Sequence, residues 1–110
     1  MPSYLIQFSY GPEAVAAFVK RPQDRRVVIQ KLLDQVGGTL VGSWMSFGEY
    51  DAAFIVEGSD NIGAAAISMA VTASGAFRSF KTTPLLTMEE GIEAMNKAGK
   101  LNYKPPSAKK

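Results

Sequence analysis

The order of elements legible in this 110-residue chain predicts an α+β fold. Three observations carry it. An aromatic run near the N-terminus alternates with period 2, two amphipathic stretches are bounded by Gly and Pro, and two β runs are joined by a short Gly-containing link. The length allows one domain. Hydrophobic residues make up 46% and charged residues 20%, as in soluble globular proteins. The sequence contains neither cysteine nor histidine. That excludes disulfides, thiolate nucleophiles, Cys/His zinc sites, haem ligation by His, and Ser-His-Asp chemistry.

The first strand spans Ser3–Tyr10, with Tyr4, Ile6, Phe8 and Tyr10 on one side and Leu5, Gln7 and Ser9 on the other. Gly11-Pro12-Glu13 opens a helix, with Pro12 at its first position and Glu13 complementing the dipole. Pro22 interrupts it. A second helical piece carries Val28, Ile29, Leu32, Leu33 and Val36 as one stripe and ends at Gly37-Gly38. A second strand over 39–47, a turn at Gly48-Glu49 and a third strand over 50–57 form a hairpin. Asp60 offers an N-cap to a helix whose shared face is Ile62, Ala65, Ala66, Met69 and Ala73. A fourth strand follows over 77–85. Thr87-Met88-Glu89-Glu90 is a capping box for a short terminal helix over 88–98.

The order β-α-β-β-α-β with short links predicts a ferredoxin-like fold. Its antiparallel sheet has order 4-1-3-2 and carries both long helices on one face. The other face is bare. The third strand is apolar on both sides at its centre, Ala52, Phe54 and Val56 against Ala53 and Ile55. The second sets Leu40 and Trp44 against Val41, Met45 and Phe47. A sheet greasy on both surfaces calls for a second copy laid sheet to sheet, so the protein is expected to be a homodimer or a larger ring.

The formal charge of +2 is uneven. Lys97, Lys100, Lys104, Lys109 and Lys110 give residues 97–110 a charge of +5, leaving −3 on residues 1–96. Residues 1–99 read as the domain and 100–110 as a basic, disordered tail. The tail lacks the aromatic or arginine content of a nucleic-acid site, so no nucleic-acid partner is expected. Strictly apolar stretches such as Ala52–Val56 are far short of a membrane span. With no signal-peptide pattern at the start, the expected location is cytoplasmic.

The segment Phe47-Gly48-Glu49-Tyr50-Asp51-Ala52-Ala53-Phe54 resembles the GYD-domain family, marked by a Gly-x-Tyr-Asp hairpin after a long helix. The likeness extends to Met1-Pro2-Ser3-Tyr4, Gly37-Gly38, the alanine-rich stretch near Ala64–Ala73 and Arg78, roughly residues 1–95. It implies a dimeric α+β barrel and no established reaction. The wider barrel group includes cofactor-free oxygenases and isomerases.

Glu49 and Asp51 sit two residues apart at the hairpin and are the candidate acid/base pair. The competing reading of Asp51 is turn chemistry, a carboxylate accepting backbone N–H bonds. Tyr50 is a candidate phenolic donor or a packing ring. Arg78 is a candidate anion ligand or a partner for Asp51 or Glu49. Trp44 lines a pocket or packs in a core. No cofactor or metal is expected, because no Gly-rich phosphate loop or ligand cluster occurs. The function expected is a binding or structural module with a small-molecule pocket at the barrel or subunit seam. The alternative is a cofactor-independent enzyme on a small carbonyl or aromatic substrate.

Overall fold

The computed structural model describes residues 2–106. Its elements run β1 (Ser3–Tyr10), α1 (Pro12–Lys20), α2 (Arg26–Asp34), β2 (Thr39–Met45), β3 (Ala52–Glu57), α3 (Asn61–Ala73), β4 (Phe77–Leu85) and α4 (Met88–Ala98). The four strands form one antiparallel sheet in the order β2-β3-β1-β4. This is the expected α+β, ferredoxin-like arrangement.

The registers place Met45, Ala52, Phe8 and Phe80 in one row beneath the helices. Ser43, Phe54, Ile6 and Thr82 form the next row, and Leu40, Val56, Tyr4 and Pro84 the third. The buried core is drawn from these rows, with Leu33 of α2 and Ile67 of α3 above them. Phe8 is its hub. It meets Tyr10, Phe54 and Phe77 edge-on at centroid distances of 5.0 to 5.2 Å. Each such pair adds about 0.5–1.5 kcal/mol beyond the area it buries.

The helix ends follow local chemistry. Pro12 stands in the first turn of α1. The Gly38 N–H bonds the Leu33 carbonyl at 2.9 Å and closes α2. Asp60 Oδ1 accepts the Gly63 N–H at 2.7 Å at the start of α3. Thr87 and Glu90 exchange both bonds of the capping box before α4.

Four expectations are corrected. First, α3 turns Gly63 and Ile67 inward and leaves Ile62 and Met69 exposed. Gly63 sits against Ser59 and Val36, and Ser68 meets Thr82 across the layer at 3.1 Å. Close approach at Gly63, rather than the alanine stripe, sets the docking face.

Second, β2 ends at Met45 and β3 begins at Ala52, so both strands are shorter than 39–47 and 50–57. The six-residue link, 46–51, holds a four-residue loop, 47–50, closed by the Ser46 N–H on the Asp51 carbonyl at 2.8 Å. Gly48 takes φ +129 there, a backbone that side chains rarely adopt.

Third, a register shift between Leu40 and Gly42 in β2 leaves Val41 unpaired. Leu40, Ser43 and Met45 therefore share the helix side. Trp44 shares the open side with Gly42.

Fourth, the open face is mixed. Its rows are Trp44-Ala53-Gln7-Lys81, Gly42-Ile55-Leu5-Thr83 and Thr39-Glu57-Ser3-Leu85. An apolar strip of Trp44, Ala53, Ile55 and Leu5 is flanked by hydroxyl and charged groups, so the sheet is not greasy across both surfaces.

The molecule is elongated. Its Cα radius of gyration is 18.0 Å, with extents of 63 × 31 × 22 Å. A compact chain of this size has a radius near 13 Å. No residue of α4 is buried, and α4 stands off the sheet–helix body. Beyond α4, residues up to 106 carry no helix or strand, and the last four residues of the expected disordered tail, 107–110, lie outside the described residues. Among the described residues no helix is long and apolar enough to cross a membrane.

Candidate functional site

The Phe47–Tyr50 loop folds back over the C-terminal end of β1 and is held by a set of short bonds. The buried Ser9 hydroxyl donates to the Glu49 carbonyl at 2.6 Å. The Tyr10 N–H donates to Asp51 Oδ2 at 2.9 Å. The Asp51 N–H donates to the Phe8 carbonyl at 2.8 Å. The Ser46 hydroxyl donates to the Tyr50 carbonyl at 2.7 Å. The Gly-x-Tyr-Asp hairpin is thus a clamp on β1, and its Asp51 carboxylate accepts a backbone N–H from across the sheet rather than from within its own turn.

Beside this clamp lies a cleft of about 800 Å³, open to solvent. Its floor is the helix side of β2 and β3, and its wall is α1, the α1–α2 turn and the start of α2. Val15, Phe18, Val19, Ile29, Ala52 and Phe54 make it largely apolar. Its polar lining includes Tyr10, Arg25 and Asp51, with Gln23, Asp24 and Arg26 at the turn and Ser43 and Ser46 on the strand side. A second cavity of about 430 Å³ lies between the helices and the sheet and shares Tyr10, Phe18, Arg25, Ile29 and Phe54 with the first. The helix layer therefore stands loosely on the sheet at this end. No residue of α1 is buried.

Local chemistry shapes the wall. Asp24 accepts the Arg26 N–H at 3.0 Å and pairs with its guanidinium, which stiffens the turn into α2. These bonds, the guanidinium's first and the backbone's second, lower the exposed Asp24 carboxyl to about 2. Tyr10 lies edge-on to Phe18 at 4.8 Å and stacked on Phe77 at 5.2 Å. Burial raises its phenol above the ordinary 10.0; the Arg25 charge opposes this and the Asp51 charge adds to it. At neutral pH the Tyr10 hydroxyl is a hydrogen-bond donor.

The structure scatters the residues singled out from sequence. Asp51 lines the cleft, with one carboxylate oxygen held by the Tyr10 backbone. Glu49 is exposed and lines neither cavity, and Tyr50 is half-buried outside both. Trp44 borders the cleft from the edge strand. Its ring lies so close over Gly42 that a Cβ there would stand 2.5 Å from it. Arg78 occupies the register shift opposite Ser9 and Tyr10, is exposed, and lines neither cavity. It pairs with neither Asp51 nor Glu49; the ion pair found among the described residues is Arg26–Asp24. Three ligand-type side chains do not converge into a metal site among the described residues. Sequence reasoning missed Tyr10 and Arg25. The available signal was Tyr10 ending an aromatic strand just before a Gly-Pro helix start, where a strand end and a helix wall meet.

The sequence model of the GYD domain matches residues 4–95. The chain belongs to the GYD-domain family. The match spans the GYD domain from β1 through most of α4, so the clamp and the cleft both lie within it. Among solved structures the GYD chain is similar to the one titled crystal structure of FFRP-DM1, with a TM-score of 0.51 and 17% identity over 78% of this chain and 100% of that chain. At that identity the likeness concerns the fold alone. The search of curated proteins finds no match for this GYD domain.

Proposed function

We propose that this GYD protein is a small-molecule binding module that works as a homo-oligomer. The carrying observation is the cleft of about 800 Å³, a size typical of small-ligand sites. Its chemistry suits a flat apolar or aromatic ligand with one anionic or carbonyl oxygen. The rings of Phe18 and Phe54 face the apolar part, while Arg25 and the Tyr10 hydroxyl supply charge and a donor for the oxygen. The adjoining 430 Å³ adds weight. On this reading the site lies between sheet and helices rather than at a subunit seam. The apolar strip on the open face supports self-association.

A second reading keeps the same cleft and makes it a cofactor-independent enzyme on a small carbonyl or aromatic substrate. Tyr10 would act as proton donor, and Asp51 would orient it. The observation favouring it is that both line one cavity.

Binding is read by calorimetry, because the ring of Trp44, the sole tryptophan, lies over Gly42 on the open side. Titration with a simple aromatic carboxylate is expected to give saturable heats. Val15→Phe, which narrows the wall at an exposed position, is expected to weaken binding about tenfold, or ~1.4 kcal/mol. Absence of saturable heats, or equal affinity in both proteins, defeats the binding reading. Substrate turnover abolished by Tyr10→Phe with binding retained would favour the enzyme.

A further inference from the structure

We propose that α4 is an exchanged arm: the α4 of one copy docks along the cleft of a second copy and completes its wall. The inference rests on the cleft being the binding site.

The arm has an apolar stripe and nothing of its own to cover it. Met88, Ile92 and Met95 recur at i, i+4 and i+7 and are 86%, 59% and 72% exposed. Leu86 before the helix, and Leu101 and Tyr103 after it, are exposed as well. Yet the helix is firmly specified by its capping box. A short helix of this length is marginal in water without packing. A well-capped helix with a bare apolar face is built to rest on another surface.

Its own cleft is out of reach. The arm leaves β4 after Leu85, which pairs with Ser3. The cleft opens at the other end of the strands, by Tyr10, Asp51 and Met45. About 27 Å of strand separates the two ends, and α4 does not pack on the sheet–helix body, in a molecule 63 Å long. A two-fold axis perpendicular to the strands reverses their direction between copies. The end where one arm departs then meets the end where the other cleft opens.

The two surfaces also match in charge and polarity. The first turns of α4 carry Glu89, Glu90 and Glu93, while Lys97, Lys100 and Lys104 fall at its end and beyond, so the acidic match is to the first half of the helix. The segment 20–26 along the cleft carries Lys20, Arg21, Arg25 and Arg26 against Asp24, which is itself engaged by Arg26. At the rim, Val19 and Met45 are left largely bare beside Val15, an apolar seat for the methionine and isoleucine stripe. The open sheet face offers Lys81, Glu57 and hydroxyl groups around a narrower strip and is the poorer fit.

The chain has no cysteine, so introduced ones report cleanly. Val19→Cys and Ile92→Cys are made as separate full-length proteins of different mass, mixed and oxidised. The expected product is a disulfide joining one chain of each mass, lost when either variant is oxidised alone. Val19→Cys/Ile92→Cys in a single chain should give linked chains rather than a closed monomer. A closed monomer overturns exchange, as does linkage of Ile92→Cys to Thr83→Cys on the open face in place of Val19→Cys. No mixed product, with both variants folded by circular dichroism, also overturns it. Titration of the same proteins with an aromatic carboxylate, read by calorimetry, separates the two ideas. Cross-linking without saturable binding leaves the arm and removes the ligand; binding without cross-linking does the reverse.

Discussion

The Asp51 carboxylate accepts the backbone N–H of Tyr10 at 2.9 Å, tying the β2–β3 loop to the last residue of β1. The same tyrosine turns its ring into the cleft. One bond therefore links the hairpin that marks the family to the wall of the candidate site. Asp51 acts on that site by holding Tyr10 in place.

Removing that acceptor should show in stability. Asp51→Ala deprives the Tyr10 N–H of a charged partner, a loss of about 1.5–3 kcal/mol. Glu49→Ala removes an exposed carboxylate and leaves intact the carbonyl that Ser9 uses, so it should stay within about 0.5 kcal/mol of the parent. Urea denaturation of the two variants checks this. Equal losses would contradict the clamp.

Stability should fall in strong alkali through Tyr10. Its phenol is raised in the folded protein, chiefly by burial. Between the unfolded and folded values the native state holds the proton more tightly, so unfolding becomes easier as pH rises. The contribution is complete below pH 10.0, the unfolded value, and is lost as pH climbs through the folded one. Melting curves of the parent and Tyr10→Phe should separate above pH 10.0, the parent declining where the variant does not. A Tyr10→Phe variant with the parent's alkaline decline would show that Tyr10 is not its source.

Gln30 should matter more than its place on a helix suggests. Its amide nitrogen donates to the Gly38 carbonyl at 3.1 Å, and its oxygen accepts the Leu40 N–H at 2.8 Å. The side chain thus pairs with the β2 edge as a strand would and blunts it. Gln30→Ala should cost about 1–3 kcal/mol, since two half-buried backbone groups lose their partner. Faster hydrogen exchange at the Leu40 amide is the local reading. An unchanged rate would refute the pairing.

The element order was open to sequence reasoning because its markers are local. The aromatic alternation of Ser3–Tyr10, the Pro12 helix start and the Thr87/Glu90 capping box each act within a few residues. The structure reproduces them, and with them the sheet order. The site was less legible. Asp51 was seen, but its partner Tyr10 lies 41 residues away, and period-2 alternation places a ring on a side without saying what stands above it. The facing of α3 was misjudged for a similar reason. Five apolar residues on one stripe lost to one glycine, because Gly63 lets the helix approach Ser59 and Val36.

From the order of its residues alone, this chain determines four strands, their helices and a capped terminal helix, because caps, turns and alternation act between near neighbours. Folding in three dimensions decides the bulge that turns Trp44 to the open side, the loose helix layer that leaves a cleft beside Tyr10, and the arm that leaves the body at the opposite end. Those features depend on how far apart the layers settle, a distance set by residues remote in sequence.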